Sequence, residues 1–170
     1  MRTYLTESAV KDLGSSIQRA TWHWTAGSWL QTFDHYHFCI TFDGQKAHVV
    51  QTLSLLKKGS HCWKRNTGNI GISLCGMGRV NGKLHAIQQP QVEACAKLTA
   101  ELCTVLGLDL ALVHDHAHFA TIDGYGPGSG NPETRIDIGS YEPVVRKKAH
   151  WYLDQLAAGK AKREYTLALF

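Results

Sequence analysis

The chain has 170 residues, 44% of them hydrophobic and 19% charged, with a formal net charge of +4 and ten histidines outside that sum. This length suits one domain with a real core, and the balance of apolar to charged residues excludes a disordered or fibrous chain. No apolar run approaches the ~20 residues that cross a bilayer. The five cysteines (Cys39, Cys62, Cys75, Cys95, Cys103) are odd in number and form no CxxC pair, which argues for buried free thiols and against a disulfide framework.

The opening residues Met1-Arg2-Thr3-Tyr4-Leu5 carry no apolar signal core, so synthesis in the cytoplasm without a signal peptide is expected. Residues 4–18 read as a weak helical or irregular lead-in. Thr21-Trp22-His23-Trp24-Thr25-Ala26-Gly27 reads as a strand, about 19–25, running into a glycine turn. Alternation sends Trp22 and Trp24 to one face and His23 to the other with Thr21 and Thr25. An imidazole at a strand end, beside a tight turn, is placed to bind a metal or move a proton, although a lone strand histidine is more often structural.

Trp29, Leu30 and Phe33 are expected to pack back on the core. The runs 35–42 and 46–50 flank Asp43-Gly44, a strong hairpin signal. Their alternation puts Tyr36, Phe38, Ile40 and Phe42 on one face and His35, His37, Cys39 and Thr41 on the other. Residues 56–69 are loop chemistry. Ile70–Gly76 is a buried strand whose glycines allow close backbone approach, and 77–89 is a polar connection.

Pro90 opens a helix over 90–106. Val92, Cys95, Ala96, Thr99, Leu102, Cys103 and Leu106 form its apolar stripe, Glu93, Lys97 and Glu101 a solvated face, and Gly107 its stop. Leu110–Val113 is a short buried strand ending at His114-Asp115-His116-Ala117-His118. A glycine-rich loop, 123–132, leads to Glu133-Thr134-Arg135-Ile136-Asp137-Ile138. A last helix, 142–158, starts near Pro143 and carries Val145, Ala149, Tyr152, Leu153 and Leu156. The expectation is one α/β domain over 1–170, with its core at about 19–158 and a basic tail at 159–170. Its centre is a mixed β-sheet flanked by helices.

Catalytic zinc sites use three protein ligands drawn from His, Asp, Glu or Cys and leave a position for water, whose pKa falls to about 7. The candidates here are His23, one histidine of the 114–118 cluster, and an acidic residue after the Gly/Pro loop. No two of them form a short local motif. Solvated loop histidines are the alternative.

His23-Trp24-Thr25-Ala26-Gly27 resembles the first-ligand motif of the zinc-dependent N-acetylmuramoyl-L-alanine amidases of the phage-endolysin and peptidoglycan-recognition-protein type. Tyr36-His37-Phe38 with Asp43-Gly44 resembles a strand and turn of that family. So do Ser60-His61-Cys62 with Asn69–Gly76, and His116–Ala120 with Asp123-Gly124-Tyr125 and Thr134–Asp137. These matches run in family order from about 19 to 138.

The resemblance implies zinc held by His23, His116 and Asp137, with a peptidoglycan groove beside it. It implies hydrolysis of the amide between N-acetylmuramic acid and the L-alanine of the stem peptide. Tyr36 matches a tyrosine that bonds the attacking water or the oxyanion, and Arg135 stands where the family has a basic residue for the developing charge. His61, on the loop expected at the groove rim, is expected to contact substrate or to be solvated, and Trp24 is expected to contact substrate. Two departures stand out. His118 occupies a position often acidic in the family, and His114 competes with His116 as second ligand, since the register can slip by two. The 123–133 loop is also longer than in compact members and is placed to cover the groove.

A phage or prophage endolysin acting in host lysis, as a monomer, is the leading expectation. Its basic C-terminus (Arg146, Lys147, Lys148, Lys160, Lys162, Arg163) would contact an anionic membrane or wall, or simply be solvated. A cytosolic amidase recycling wall fragments and a non-catalytic peptidoglycan-binding module are the alternatives. Specific nucleic-acid binding is disfavoured, because the Lys and Arg residues form no dense patch interleaved with exposed aromatics.

Overall fold

The computed structural model describes residues 3–4, 13, 16–165 and 167–169. Most of the lead-in expected over 4–18 lies outside them. In chain order the described elements are β1 (Thr3–Tyr4), β2 (Arg19–Trp24), β3 (Phe38–Phe42), β4 (Ala47–Gln51), β5 (Asn69–Leu74), β6 (Arg79–Val80), β7 (Lys83–Leu84), α1 (Gln89–Leu106), β8 (Val113–Asp115), α2 (His116–Ile122), α3 (Glu142–Ala157) and β9 (Ala168–Leu169).

The main sheet has five strands in the order β4-β3-β5-β2-β8. β4 runs antiparallel to β3, and every other neighbouring pair is parallel. The sheet is therefore mixed, with β5 and β2 at its middle. Parallel strands covered on both faces need apolar or small residues at successive positions, and Asn69-Ile70-Gly71-Ile72-Ser73-Leu74 supplies them: all six are buried. β1 pairs with β9 in a separate two-stranded ribbon.

Helix α1 covers one sheet face with Val92, Cys95, Ala96, Leu98, Thr99 and Leu102. Trp22 of β2 is fully buried beneath it and donates its indole N–H to Thr99 Oγ1 at 3.0 Å. Pro90 lies in the first turn, where its missing N–H costs nothing. Gly107 ends the helix at φ +65°, its N–H bonded to Cys103 O. Gln91 is buried too, and donates from Nε2 to Ile40 O at 2.9 Å and to Cys75 O at 2.8 Å, tying α1 to the middle of β3 and the end of β5. Helix α3 packs against α1 through Val145 and Ala149. Its Arg146 guanidinium lies 5.1 Å from the Trp22 ring and donates to Val113 O at 2.6 Å.

Several expectations are corrected. Glu101 does not belong to a solvated face: it is 1% exposed and accepts from the backbone N–H groups of Glu164 and Tyr165 at 2.7 and 3.0 Å. Glu93 and Lys97 are half-buried and pair with Lys148 and Glu164. The connection 77–89 contains the β6–β7 hairpin, turned by Asn81 and Gly82 at φ +51° and +79°. Leu110–Leu112 is a 3-10 turn and the strand is Val113–Asp115, so His116 opens a helix rather than ending a strand. Asp115 caps that helix by accepting from His118 N at 2.9 Å. Strand β3 starts only at Phe38. Tyr36 precedes the alternation and packs with Cys39 and Cys75, opposite the face of Phe38 and Ile40.

Candidate metal centre

The sheet face away from α1 carries Thr21, His23 and Ser73. Register places His23 beside Ser73, and Ser73 beside Cys39. At the C-terminal end of β2, His23 meets His116 from the first turn of α2 and Asp137 from the segment after the glycine-rich loop. The three side chains offer ligand atoms that all lie within 4.8 Å of one another, and each residue is buried. His23 Nδ1 is 3.1 Å from Asp137 Oδ2, and His116 Nδ1 is 3.4 Å from Asp137 Oδ1. The backbone closes the arrangement, because Ala117 N donates to Asp137 O at 2.8 Å.

The structure brings His116, and not His114, to this cluster. His114 stacks on His118 with ring centroids 3.8 Å apart, outside the cluster, where Arg146 Nη2 lies 3.4 Å from its Nδ1. A helical start explains the split: His114 precedes the turn, and His116 is its first residue.

His61, from the loop before β5, is 8% exposed and belongs to the inner wall rather than the rim. Its Nδ1 lies 2.9 Å from His23 Nε2, and its Nε2 lies 3.1 Å from Asn69 O. Asn66 Oδ1 holds the loop by accepting from His61 N and Cys62 N at 2.9 and 2.7 Å. The Tyr36 ring sits 5.1 Å from that of His23. Trp24 is half-buried against the main core and also borders the site. Arg135 reaches the wall, with its guanidinium donating to Glu133 O at 2.8 Å and to Glu133 Oε2 at 3.2 Å.

Two contiguous cavities open from the cluster. One of about 350 Å³ is bordered by Trp24, His35, Tyr36, His61, His116 and Asp137. The other, about 470 Å³, extends past Cys62, Trp63, Asn66, Tyr125, Asn131 and Glu133. Ser60, His61, His116 and Arg135 border both. The sequence assigns no groove role to Trp63, Asn66 or Tyr125. The signal for Trp63 was available, as a tryptophan in a polar loop beside Ser60-His61.

Burial and the Asp137 carboxylate set the electrostatics of the cluster. Burial would raise Asp137, but the imidazoles of His116 and His23 beside it outweigh burial and hold the carboxyl below the usual range. Burial lowers His23 to about 4, against the opposing pull of Asp137. It also lowers His61, to about 2, helped by the neighbouring histidines. His116, where Asp137 overcomes desolvation, is raised to about 9. Burial, with the Asp137 charge, pushes the Tyr36 phenol well above its ordinary value, so it keeps its proton. A carboxylate and two imidazole nitrogens thus converge where little water reaches.

No protein of curated function matches the sequence. Among solved structures, AmpDH3 from Pseudomonas aeruginosa, in complex with anhydromuramic pentapeptide, is similar at a TM-score of 0.47 and 14% identity. The match covers 59% of this chain and 51% of that one, so the chain spans about half the length of that protein. A Glu-to-Ala variant of PlyL is similar at a TM-score of 0.46 and 12% identity, over 85% of this chain and 80% of that one. The sequence model of the N-acetylmuramoyl-L-alanine amidases matches residues 13–129. That stretch is well over half of the chain, and it runs from before β2 through α2 into the glycine-rich loop: the protein belongs to the N-acetylmuramoyl-L-alanine amidase family.

Proposed function

We propose that the protein is a zinc-dependent peptidoglycan amidase, cleaving the bond between N-acetylmuramic acid and the L-alanine of the stem peptide. The observation that carries this reading is the convergence of His23, His116 and Asp137 at the head of an open groove. Two imidazoles and one carboxylate are a donor set that zinc accepts, and three protein ligands leave a position for a reacting group. Zinc bound there supplies Lewis acidity toward an amide carbonyl and acidifies water to a pKa of about 7.

The chain's own groups do the rest. His23, His116 and Asp137 would hold the ion, while the loop from 123 to 136 and the loop at 60–66 shape the two groove walls. Tyr36 keeps its phenolic proton and borders the same cavity, so it donates a hydrogen bond to the oxygen on which negative charge develops. Arg135 borders the same groove, with its charge shared with Glu133. The groove takes a chain that lies along it, with the scissile amide at the cluster and the stem peptide or glycan extending past Trp63 and Tyr125. We propose host-wall lysis as the biological setting, with synthesis in the cytoplasm and action on the wall after release.

Metal content and release of stem peptide from purified sacculi test the reading together. The expected result is about one zinc per chain, lost with activity in His23→Ala, His116→Ala and Asp137→Ala and kept in His114→Ala. Wall binding without zinc or hydrolysis would move the protein to the recognition modules. Turnover of soluble muropeptides but not of sacculi would assign it to recycling.

A further inference from the structure

We infer that His61 is a positioning residue: it sets the tautomer of His23 so that the bare ring nitrogen faces Asp137. The inference rests on the metal-centre reading above and adds a part to it. It follows from which groups can donate. Asn69 O is a carbonyl and only accepts, so the nitrogen of His61 that faces it at 3.1 Å, Nε2, carries the proton. A neutral imidazole has one N–H, so His61 Nδ1 is an acceptor. His23 Nε2, 2.9 Å away, must then be the donor. That leaves His23 Nδ1 as a lone pair, 3.1 Å from Asp137 Oδ2. Two acceptors facing each other at this distance call for a cation between them.

The chain is thus directional: Asn69 C=O accepts from His61, His61 accepts from His23, and His23 presents Nδ1 to the metal. A partner on the far nitrogen of a ligand histidine orients the ring and raises its basicity.

The fold reserves room for this ring in two places. A Cβ on Gly71 of β5 would lie 2.8 Å from His61 Cδ2 and 3.0 Å from its Nδ1. A Cβ on Gly59 would lie 2.5 Å from the His35 carbonyl oxygen and 2.9 Å from the same Cδ2, so ring and backbone together close that position. The acceptor at the end of the chain is held as well. Asn69 donates from Nδ2 to Arg65 O at 2.8 Å and accepts from Thr21 Oγ1 at 2.9 Å. Asn69 and Thr21 lie on the two central parallel strands, so the relay is anchored in the sheet.

The test compares His61→Leu with His61→Gln in the full chain. Leucine fills the space without polar atoms. Glutamine can accept from His23 through Oε1 and donate to Asn69 O through Nε2. Zinc affinity is measured by chelator competition, and apo-protein melting reports folding. The expected result is a loss of about 10–100-fold in zinc affinity for His61→Leu and a return to within about threefold of wild type for His61→Gln. Wild-type zinc affinity in a folded His61→Leu would overturn the inference. So would a rise in KM alone, which would make His61 a substrate contact. If neither variant folds, nitrogen-15 spectra of the zinc-loaded wild type decide. A protonated Nε2 on His23 supports the relay and a protonated Nδ1 overturns it. A wild type that binds no zinc sinks the metal-centre reading itself, a distinct result.

Discussion

Gln91→Met removes three hydrogen bonds from the middle of the fold while nearly keeping side-chain volume. Gln91 has no solvent exposure, donates to Ile40 O and Cys75 O, and accepts from Gln88 N at 3.0 Å. The three partners are left in different situations. Ile40 O still accepts from Cys75 N at 2.9 Å, so its loss is about 1 kcal/mol. Gln88 N sits in a half-buried turn that water reaches, and its loss is about 0.5 kcal/mol. Cys75 is fully buried, and its carbonyl is left without a partner, at about 1–3 kcal/mol. The total is about 2.5–4.5 kcal/mol. With a urea m-value near 2 kcal/mol/M for a domain of this size, the unfolding midpoint should fall by about 1–2 M at unchanged slope. Equilibrium urea unfolding followed by tryptophan fluorescence measures both quantities. A drop of less than about 0.2 M would refute the assignment of Gln91 as the tie between helix and sheet. A changed slope would show that the comparison is not between like unfolded states.

Three further outcomes are expected. Glu101→Ala should free the segment after α3, with amide exchange at Glu164 and Tyr165 accelerated at least tenfold, since their N–H groups lose their carboxylate acceptor; unchanged protection would show that β9 alone holds the tail. Gly71→Ala should cost about 1–3 kcal/mol by overpacking and weaken zinc binding although no ligand is altered; full zinc affinity would mean that the His61 ring shifts without consequence. Arg65 donates to both oxygens of Asp123, at 2.6 and 2.9 Å, with the two side chains 23% and 13% exposed, and holds its carboxyl below the usual range. A depressed pKa stabilises above the unfolded value of about 3.9 and ceases to do so as pH falls through the folded value. Arg65→Ala should therefore melt lower at pH 7, by about 1 kcal/mol after solvent screening, and the gap should close toward pH 2; a gap independent of pH would leave only packing of Arg65 on Phe119.

Local signals carried the sequence reading far. The strand Arg19–Trp24, the Asp43-Gly44 hairpin and both long helices follow from alternation, turn chemistry and helical spacing within a few residues. Features set by distant partners did not show. Glu101 looked solvated because its donors, Glu164 and Tyr165, lie some sixty positions on. Tyr36 looked like a strand residue because Phe38, Ile40 and Phe42 continue its alternation, whereas pairing starts only at Phe38. The split between His114 and His116 was half legible, since Asp115 is a good N-cap and announces a helix starting at His116. The Asn81-Gly82 pair is a turn signal too, passed over where 77–89 reads as a polar connection. His61 was read as a rim residue because nothing local tells that Gly71, ten positions on, leaves space for its ring.

The strand order also sets a timetable. β2 pairs with β5 some fifty residues later and with β8 more than ninety residues later, all in parallel. Parallel partners this remote meet only after long loops have closed, which makes them late and slow to form. His23 leaves the ribosome about ninety residues before His116 and more than a hundred before Asp137. A nascent fragment holding β2, β3 and β5 therefore carries one of the three cluster residues and cannot assemble the cluster.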